Sequence, residues 1–438
     1  MEKLKRVRIT TKGRKYEGLL LPSPKKEFLV LKLDSGYNVG IRKEGAKVEE
    51  LGEVEIRLDG GNQQVSASHL RRDAETGNRK LETGKGRGDV AIIGTGGTVS
   101  SKVEYKTGAV FPSTSPEDLA KNIPGLETIC TFHAREVFAI LSEDMTPAHW
   151  SVAAAEIKKE IEAGAKGVVV LHGTDTMHYT SAALSFMLQD SPVPIYLVGS
   201  QRSSDRPSTD ARINMLNACF AAANGPMANV GICMHATSDD EECLIHLGTK
   251  ARKMHTSRRD AFQSVNVPPL AKVDYRSSLI EPYMKYRERG GKLKFDNRVN
   301  ENVAMVYTYP GIHPEFVDKL SDYDGIVIVG TGIGHVPTNP FGDKLAKRIT
   351  PNLKALVDSG IPVAFASQCI FGRINMDMYA AGRMLQEAGV FGHLMDWTPE
   401  CAYAKMCWVM GHEKKMEKVK EEMMRNIAGE ITERSEIL

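Results

Sequence analysis

Long apolar runs are missing from this sequence. None of the apolar stretches in its 438 residues is long enough to form a membrane-spanning helix, and the basic start MEKLKRVRIT lacks the apolar core of a signal peptide. The seven cysteines are scattered and form no Cys-x-x-Cys pair, a pattern typical of reduced thiols and not of a disulfide frame. We therefore expect a cytoplasmic protein without membrane contact.

A strong charge of either sign is also absent. The formal net charge is +2, which is too small to predict nucleic-acid binding by itself. The hydrophobic content of 42% and the charged content of 26% are typical of a soluble globular protein. A chain of 438 residues is too long for one ordinary core and predicts two or three domains.

Residues 1–60 have the pattern of a small all-β barrel, because short strand-like runs alternate with turn residues and no helix separates them. The predicted strands are Arg6–Thr10, Tyr16–Leu21, Glu27–Leu33, Tyr37–Ile41 and Val54–Leu58. The first strand region is basic; a solvated face is the first interpretation, and an RNA or partner contact is the second. Residues 61–88 are polar and predict a linker.

Residues 89–295 alternate strands with helices, which predicts a large α/β domain built on a parallel sheet covered on both faces. The predicted elements are strands at Val90–Ile93, Val168–Leu171, Ile195–Val198 and Val230–Met234, and helices at Thr114–Asn122, Trp150–Ala163, Tyr179–Leu188 and Thr209–Ala223. Residues 296–438 predict a smaller α/β domain with strands at Ala304–Tyr307, Gly325–Val329 and Val363–Ala366, and helices at Lys344–Ser359, Asp377–Ala388 and Glu413–Arg425.

Polar residues follow the buried strand Val168–Leu171 directly. The turn His172–Thr176 carries a glycine and two hydroxyls on either side of a carboxylate. Open α/β sheets place their chemistry at the carboxyl ends of such strands. Taken alone, the turn has a second interpretation, in which Thr174 or Asp175 caps the helix that begins near His178.

A second strand end carries glycines and a hydroxyl at Gly94–Thr98. The dinucleotide-binding fingerprint requires a small residue at its sixth position, where this loop has Val99 and the loop at Gly330–Gly334 has His335. A nucleotide site is therefore weakly supported. The glycines would instead leave room for a small substrate beside the Thr98 hydroxyl.

A hydroxyl becomes a nucleophile only when another group takes its proton. His172 lies in the turn itself, but a histidine at this position is more often packed than catalytic. A partly buried lysine can serve as well, because burial lowers its pKa. The segment Lys250–Phe262 supplies several cations, and spacing alone does not select one.

Several segments together resemble the L-asparaginase family. The similarity covers roughly residues 89 to 412, and its first two motifs stand in order at strand ends. The segments are GTGGTVS at 94–100, LHGTDTMHYT at 171–180, VGSQRSSDRPSTDA at 198–211, ARKMHTSRRDAF at 251–262 and ASQCIFGRINMDMYAAGRMLQEAGV at 366–390.

The resemblance implies an amidohydrolase that forms a covalent acyl-enzyme. It implies that Thr98 is the nucleophile and that Thr174, Asp175 and Lys253 move protons. It further implies that substrate is bound by Ser142, Glu143, Gly97, Gly173 and Glu400, the last of which reaches a neighbouring subunit's site in the family. A homodimer follows from that shared site. The implied donor is glutamine or asparagine, and neither a metal nor a cofactor is implied for this chain.

One position departs from the family pattern. Many members carry a tyrosine on the loop after the nucleophile, where this chain has Phe111, with Tyr105 nearby. The hydroxyl that orients the nucleophile is therefore not at the expected position, and we predict that a partner orders this loop.

The predicted barrel at residues 1–60 distinguishes between subfamilies of asparaginase-like proteins. A small barrel before an asparaginase-like body is similar to the ammonia-releasing subunits of archaeal glutamyl-tRNA(Gln) amidotransferases. This resemblance implies a partner, the E subunit of the amidotransferase, that uses ATP and Mg to activate Glu-tRNA(Gln), binds most of the tRNA and receives the ammonia. The alternatives are a free-standing L-asparaginase with an accessory domain and a non-catalytic RNA-binding scaffold.

Overall fold

The computed structural model describes residues 2–11, 14–23, 26–33, 38–56, 89–96, 101–103, 110–112, 115, 120, 123–202 and 208–434. It contains two compact units. The first holds the N-terminal strands together with the described residues 102–103, 110–111 and 208–209, and the second holds the rest of the two predicted α/β parts.

The N-terminal unit is an antiparallel five-stranded sheet, which confirms the predicted all-β domain. The strand order is β4-β3-β2-β1-β5, and its small core contains Val7, Ile9, Leu31 and Ile41. The strands are β1 Glu2–Thr11, β2 Arg14–Leu21, β3 Phe28–Leu33, β4 Asn38–Arg42 and β5 Lys47–Ile56.

The last strand, β5, begins well before the predicted Val54 because its acidic residues pair with basic β1. The Lys5 Nζ donates to Glu50 Oε1 at 2.7 Å, and Arg8 Nη1 donates to Glu49 Oε2 at 2.9 Å. Arg8 also contacts Glu17 of β2. Much of the basic character of β1 is thus balanced inside its own sheet, which favours the solvated-face interpretation over an RNA contact.

The second unit is built on an eight-stranded sheet of order β18-β17-β14-β13-β12-β10-β6-β9. Strands β13, β12, β10, β6 and β9 are parallel, as predicted, and β14, β17 and β18 add an antiparallel edge. The strands between residues 89 and 295, including the separate pair β7 and β8, are β6 Val90–Gly96, β7 Ser101–Val103, β8 Val110–Pro112, β9 Phe132–Ile140, β10 Gly167–Leu171, β11 Leu188–Gln189, β12 Ile195–Val198, β13 Val230–His235, β14 Cys243–Leu247, β15 Ala251–Lys253, β16 Phe262–Ser264, β17 Ala271–Asp274, β18 Leu279–Pro282 and β19 Lys294–Phe295.

Helices cover both faces of this sheet. Successive residues of β10 alternate between two cores, with Val168 and Val170 on one face and Val169 and Leu171 on the other. The helices of the unit are α1 Leu126–Ile129, α2 Pro147–Glu162, α3 Met177–Met187, α4 Ala211–Asn224, α5 Pro314–Asp318, α6 Thr350–Asp358, α7 Ala380–Glu387, α8 Pro399–Met410 and α9 Met416–Met424. The predicted helix Thr114–Asn122 lies largely outside the described residues.

The C-terminal part has a parallel sheet of β20 Val303–Tyr307, β21 Gly325–Gly330 and β22 Val363–Ser367, in that order. The helix predicted from Lys344 begins only at Thr350. The Asn339 side chain explains the difference, because its Nδ2 donates to the carbonyl oxygens of Asp343 at 2.9 Å and Ala346 at 3.1 Å. A helix from Lys344 would need these carbonyl oxygens for its own hydrogen bonds.

Helix α8 was not predicted. It is buried around nearly its whole circumference, so it lacks the one-sided apolar stripe that periodicity detects. Its ends do carry a signal: the Thr398 side chain accepts from Cys401 N at the N-terminus, and Pro399 occupies the first turn. None of the helices in the described ranges is long and apolar enough to cross a membrane.

A buried ion pair attaches the C-terminal segment to α8. The Lys405 Nζ lies 2.6 Å from Glu430 Oε1, and both side chains are 0% exposed. The same ammonium group donates to Met423 O at 2.8 Å, and Glu430 also accepts from the backbone N–H groups of Ile427 and Ala428.

We predict that Lys405→Met lowers the free energy of unfolding by about 3–5 kcal/mol, because it leaves the Glu430 carboxylate buried without a counter-ion. Urea unfolding measures the change. The control is Lys354→Met, which breaks the exposed pair with Asp358 and should cost at most about 1 kcal/mol. Equal urea midpoints for the two variants would contradict the prediction, whereas Lys405→Met/Glu430→Gln should recover part of the loss.

Candidate active site

The turn His172–Thr176 joins β10 to α3 at the carboxyl end of the parallel sheet. The N-cap position of α3 is Thr176, and no side chain caps the helix there. The Thr176 Oγ1 donates instead to Ser142 O at 2.7 Å. The capping interpretation of Thr174 and Asp175 was therefore wrong, and both side chains have other contacts.

Two glycines allow the turn to fit. A Cβ at Gly173 would lie 2.6 Å from Ser142 Cβ, and a Cβ at Gly199 would lie 2.8 Å from Thr174 Cγ2. Both distances are far below van der Waals contact, so larger residues at these positions would displace the turn. Gly199 directly follows β12, the next strand of the sheet, and was not among the predicted site residues.

Lys253 joins the two polar residues of the turn. It ends β15, which pairs with β16 as an antiparallel hairpin. Its Nζ donates to Thr174 Oγ1 at 2.8 Å and to Asp175 Oδ1 at 2.7 Å. The structure thus brings together three of the four residues predicted to be catalytic, across 78 positions of sequence. The fourth, Thr98, lies outside the described residues, as does Gly97.

The direction of these hydrogen bonds has a chemical consequence. A lysine ammonium group has donors only, so the Thr174 oxygen accepts from it, and the hydroxyl proton points to a different acceptor. Thr174 is 5% exposed, and the Lys253 and Asp175 side chains are 9% and 66% exposed. The cluster therefore has a buried end at the hydroxyl and an open end at the carboxylate, as a path for protons requires.

The carboxyl end of β6 lies beside this turn. The buried Thr95 hydroxyl donates to Leu171 O at 2.7 Å, which ties the end of β6 to the end of β10. Gly96 has φ of 97°, and a Cβ there would lie 2.2 Å from Ile140 O. Glycine is needed for both reasons, and these contacts fix the backbone that leads into residues 97–98.

His172 is a structural residue, in agreement with the interpretation above. Its Nδ1 donates to Gly173 O at 2.6 Å, and its Nε2 therefore accepts from Thr180 Oγ1 at 2.8 Å. Burial lowers the pKa of His172 to about 4. A neutral ring with both nitrogens engaged cannot act as the base for a hydroxyl nucleophile.

Ser142 and Glu143 belong to a short 3-10 helix, Ser142–Asp144, that packs against the turn. Ser142 is buried and Glu143 is exposed. Ser142 contacts the turn at Gly173 and Thr176. Glu143, the next residue, therefore lies close to the turn on the side that faces solvent. This placement is compatible with substrate binding, and the role of both residues stays a prediction.

Glu400, which the family resemblance implies as a substrate-binding residue, lies in the first turn of buried helix α8. Its side chain is 4% exposed, and Oε1 pairs with Arg252 Nη2 of the same chain at 3.0 Å. Its role at a neighbouring subunit's site stays a prediction. The sequence pattern could not show the pairing with Arg252, because the two residues lie 148 positions apart and buried helix α8 was not predicted.

His178 was also missed as part of this region. It lies 4.0 Å from Glu400, and its pKa is lowered to about 3, first by burial and then by the positive charges of Arg252 and Lys253. It is therefore neutral and forms no ion pair with Glu400. Within the described residues, His178 Nδ1 and Glu400 Oε2 are buried without a hydrogen-bond partner.

The first residues after β12 are held by a carboxylate. Asp210, at the N-cap position of α4, accepts from the backbone N–H groups of Gln201 and Arg202 and from Asn214 Nδ2 at 3.2 Å. In the part of the chain that the structure describes, no cluster of three metal-binding side chains occurs.

Three family models match the chain. "Asparaginase, N-terminal" matches residues 89–284, "Glutaminase/Asparaginase C-terminal domain" matches 302–423, and "GatD N-terminal domain" matches 1–51. The three matches cover successive parts of the chain, and the predicted domain bounds stay a prediction. They confirm the predicted resemblance.

Solved structures agree with these matches. The thermostable L-asparaginase from Thermococcus kodakarensis is 29% identical with a TM-score of 0.69, and it covers 78% of this chain and 99% of its own. L-asparaginase I from Vibrio cholerae O1 biovar eltor is also 29% identical, with a TM-score of 0.67 and coverage of 79% and 100%. The fold and the site define an asparaginase-type α/β enzyme.

Relatives that match over nearly the full length of the chain identify its family more specifically than the solved structures do. The D subunit of glutamyl-tRNA(Gln) amidotransferase from Pyrococcus abyssi is 43% identical over 425 residues, which cover 95% of this chain and 91% of the relative. The protein of the same name from Methanothermobacter thermautotrophicus is 45% identical over 432 residues, with coverage of 96% and 92%. The chain belongs to the family of glutamyl-tRNA(Gln) amidotransferase D subunits.

We predict that the free energy of unfolding falls as the pH drops from 6.5 to 4, and that His172→Asn makes this dependence shallower. The His172 pKa lies near 4 in the native state, against a normal 6.5, so the unfolded state binds the proton first and gains stability across this range. The contribution is at most about 3 kcal/mol. Part of the slope should remain in the variant, because burial lowers the pKa of His246 to about 4 as well.

Urea unfolding at several pH values measures the slope. The matched control is His313→Asn, whose side chain is 48% exposed and should leave the slope unchanged. If His172→Asn and the control gave the same dependence on pH as the parent protein, the buried neutral state of His172 would be disproved.

Proposed function

We propose that this protein is the ammonia-releasing glutaminase of a glutamyl-tRNA(Gln) amidotransferase, which converts Glu-tRNA(Gln) to Gln-tRNA(Gln). The observation that carries the proposal is the Lys253 ammonium group bound to both Thr174 and Asp175 at the end of β10. It stands in a chain related over 95% of its length to the D subunit of such an enzyme. The donor is glutamine or asparagine, which differ by one methylene.

In the proposed reaction, the Thr98 oxygen attacks the side-chain carboxamide carbon, and the C–N bond then breaks. The proton from the Thr98 hydroxyl leaves with the amide nitrogen as ammonia, and water hydrolyses the resulting ester to the acid product. Thr174, Asp175 and Lys253 move the proton and activate the water. Lys253 can hold the Thr174 hydroxyl in one orientation because Asp175 fixes the ammonium group from its other side.

The groups around the turn suit an α-amino acid amide. Asp175 is largely exposed although it binds Lys253, so its carboxylate can also bind the substrate ammonium group together with Glu143. Ser142 and the backbone N–H groups at Gly97 and Gly173 bind the α-carboxylate and the oxyanion. Neither a metal nor a cofactor is needed for these steps.

The assembly belongs to the proposal as well. The protein forms a homodimer and binds an amidotransferase partner, the E subunit, which uses ATP and Mg to activate Glu-tRNA(Gln), makes most of the tRNA contacts and receives the ammonia. Ordering of the loop near Phe111 by that partner would prevent futile hydrolysis of glutamine. A free-standing L-asparaginase with an accessory domain is the alternative, supported by the L-asparaginases that share its fold.

We predict that Lys253→Ala leaves the fold intact and lowers ammonia release from glutamine and asparagine by about 10²–10⁴-fold, the usual contribution of a proton-transfer group. The matched control is Lys272→Ala, since Lys272 on β17 also lies between two carboxylates, Glu242 at 3.2 Å and Glu281 at 3.5 Å. Circular dichroism checks the fold of both variants. Parental turnover in Lys253→Ala would exclude the proton-transfer role.

A second prediction concerns the complex. Co-expression with the E subunit should yield a stable complex that forms Gln-tRNA(Gln) from Glu-tRNA(Gln), glutamine and ATP, whereas the isolated chain should release ammonia more slowly. Thr98→Ala should abolish Gln-tRNA(Gln) formation without dissociating the complex. A homo-oligomer that binds no E subunit and hydrolyses asparagine at full rate would favour the free-standing enzyme. Unchanged amide hydrolysis by Thr98→Ala would show that the nucleophile is a different residue.

A further inference from the structure

The segment between the two α/β parts, residues 285–298, is strongly basic although the whole chain is nearly neutral. It has the sequence KYRERGGKLKFDNR, with six cations and two carboxylates. This charge excess lies at the surface, and the catalytic chemistry proposed above does not use it. A solvated loop would by itself explain the charge. A binding site also requires that the loop has a defined shape.

The backbone of this segment is held in place. The Arg289 guanidinium group donates to the carbonyl oxygens of Ala222 at 2.7 Å and Gly225 at 2.6 Å, and also contacts the carbonyl of Lys166. In addition, β19 pairs with β11. A cation whose donors bind backbone carbonyls fixes the loop and is not available for a ligand, so the neighbouring cations stand on a rigid base.

Three of those cations line one cavity of about 420 Å³. Its lining residues are Asp190, Arg287, Gly291, Lys292, Leu293 and Lys294. The single carboxylate is shared, because Asp190 lies 3.2 Å from Arg287 Nη2 and 2.8 Å from Lys294 Nζ. The bond to Lys294 lowers the pKa of Asp190, so this carboxylate stays charged and the three cations outnumber it by two.

The unbalanced charge is concentrated on two exposed side chains. Lys294 is 73% exposed, and Lys292 is exposed without an ion pair among the described residues. Arg287 has further guanidinium donors beyond the one that meets Asp190, and its backbone N–H is fixed by Asn229 Oδ1 at 2.8 Å. Lysine and arginine at the rim of a fixed concave surface are the groups that bind phosphate oxygens.

We propose that this cavity binds phosphate groups and that the RNA backbone of the tRNA substrate supplies them. The choice of RNA rests on the proposed function, whereas the phosphate chemistry rests on the cavity alone. The chain would then position the tRNA from the segment between its α/β parts, while its N-terminal sheet balances much of its own basic character internally. Free inorganic phosphate is the other source of the same chemistry.

The test is fluorescence anisotropy of labelled tRNA(Gln) with the full-length chain, at several salt concentrations. We expect Lys292→Glu/Lys294→Glu to weaken binding at least about tenfold at roughly 100 mM salt and to reduce the slope of log K against log salt by about 1–2, as expected for one or two lost phosphate contacts. The matched control, Lys418→Glu/Lys420→Glu on exposed α9, changes the charge equally and should retain most of the affinity. Ammonia release from glutamine should be the same in all three proteins.

Inorganic phosphate, titrated at constant ionic strength by calorimetry, separates the two sources. Saturable phosphate binding that is lost in Lys292→Glu/Lys294→Glu, with tRNA affinity unchanged, would assign the cavity to a free anion and overturn the choice of RNA. Unchanged affinity for both probes, or an equal loss in the control, would overturn the whole proposal. Formation of Gln-tRNA(Gln) with the E subunit is measured in parallel, so a failure of the proposed function and a failure of the phosphate site are distinguishable.

Discussion

The structure around the candidate site depends on one shared ammonium group. Lys253 binds Thr174 and Asp175 together, and it can do so only because the hairpin of β15 and β16 stands over the turn that follows β10. Removal of any one partner would change the orientation of the other two. The close approaches at Gly173 and Gly199 serve the same arrangement, since they let the turn lie where the lysine meets it.

The parallel sheet supplies the second constraint. The carboxyl ends of β6 and β10 are adjacent, and the Thr95 hydroxyl bond to Leu171 O locks them together. Residues far apart in sequence therefore share one edge of the sheet. This is the general reason why chemistry collects at strand ends in α/β proteins, and here it explains how separate motifs form one site.

Local patterns predicted most elements of the fold, and the exceptions have physical reasons. Strands such as Ile195–Val198 were predicted with their observed bounds, because short β-branched runs between turn signals are distinctive. Helix α8 was missed because it is buried on nearly all sides and has no one-sided apolar stripe. Most of β5 was missed because its acidic residues are typical of exposed positions and pair with β1 only in the folded sheet. The start of α6 was misplaced because Asn339 binds the carbonyl oxygens of Asp343 and Ala346, which a longer helix would have used.

The site could be predicted only in part, for a related reason. The residues Thr174, Asp175 and Lys253 were carried over by motif resemblance, since no local signal links position 253 to position 174. The burial of Glu400 against Arg252 could not be predicted from a motif, because it depends on a tertiary contact. The capping interpretation failed because sequence cannot tell which of three successive polar residues begins the helix.

The buried pairs near the C-terminus have a consequence for biosynthesis. Lys250 is fully buried against Asp396, and Lys405 is fully buried against Glu430. On the ribosome, both lysines emerge before their carboxylates, and neither can leave water at an acceptable free-energy cost without a counter-ion. The second unit therefore reaches its final packing only after residue 430 has left the exit tunnel, so its last folding step waits for a carboxylate that is translated 25 positions after Lys405.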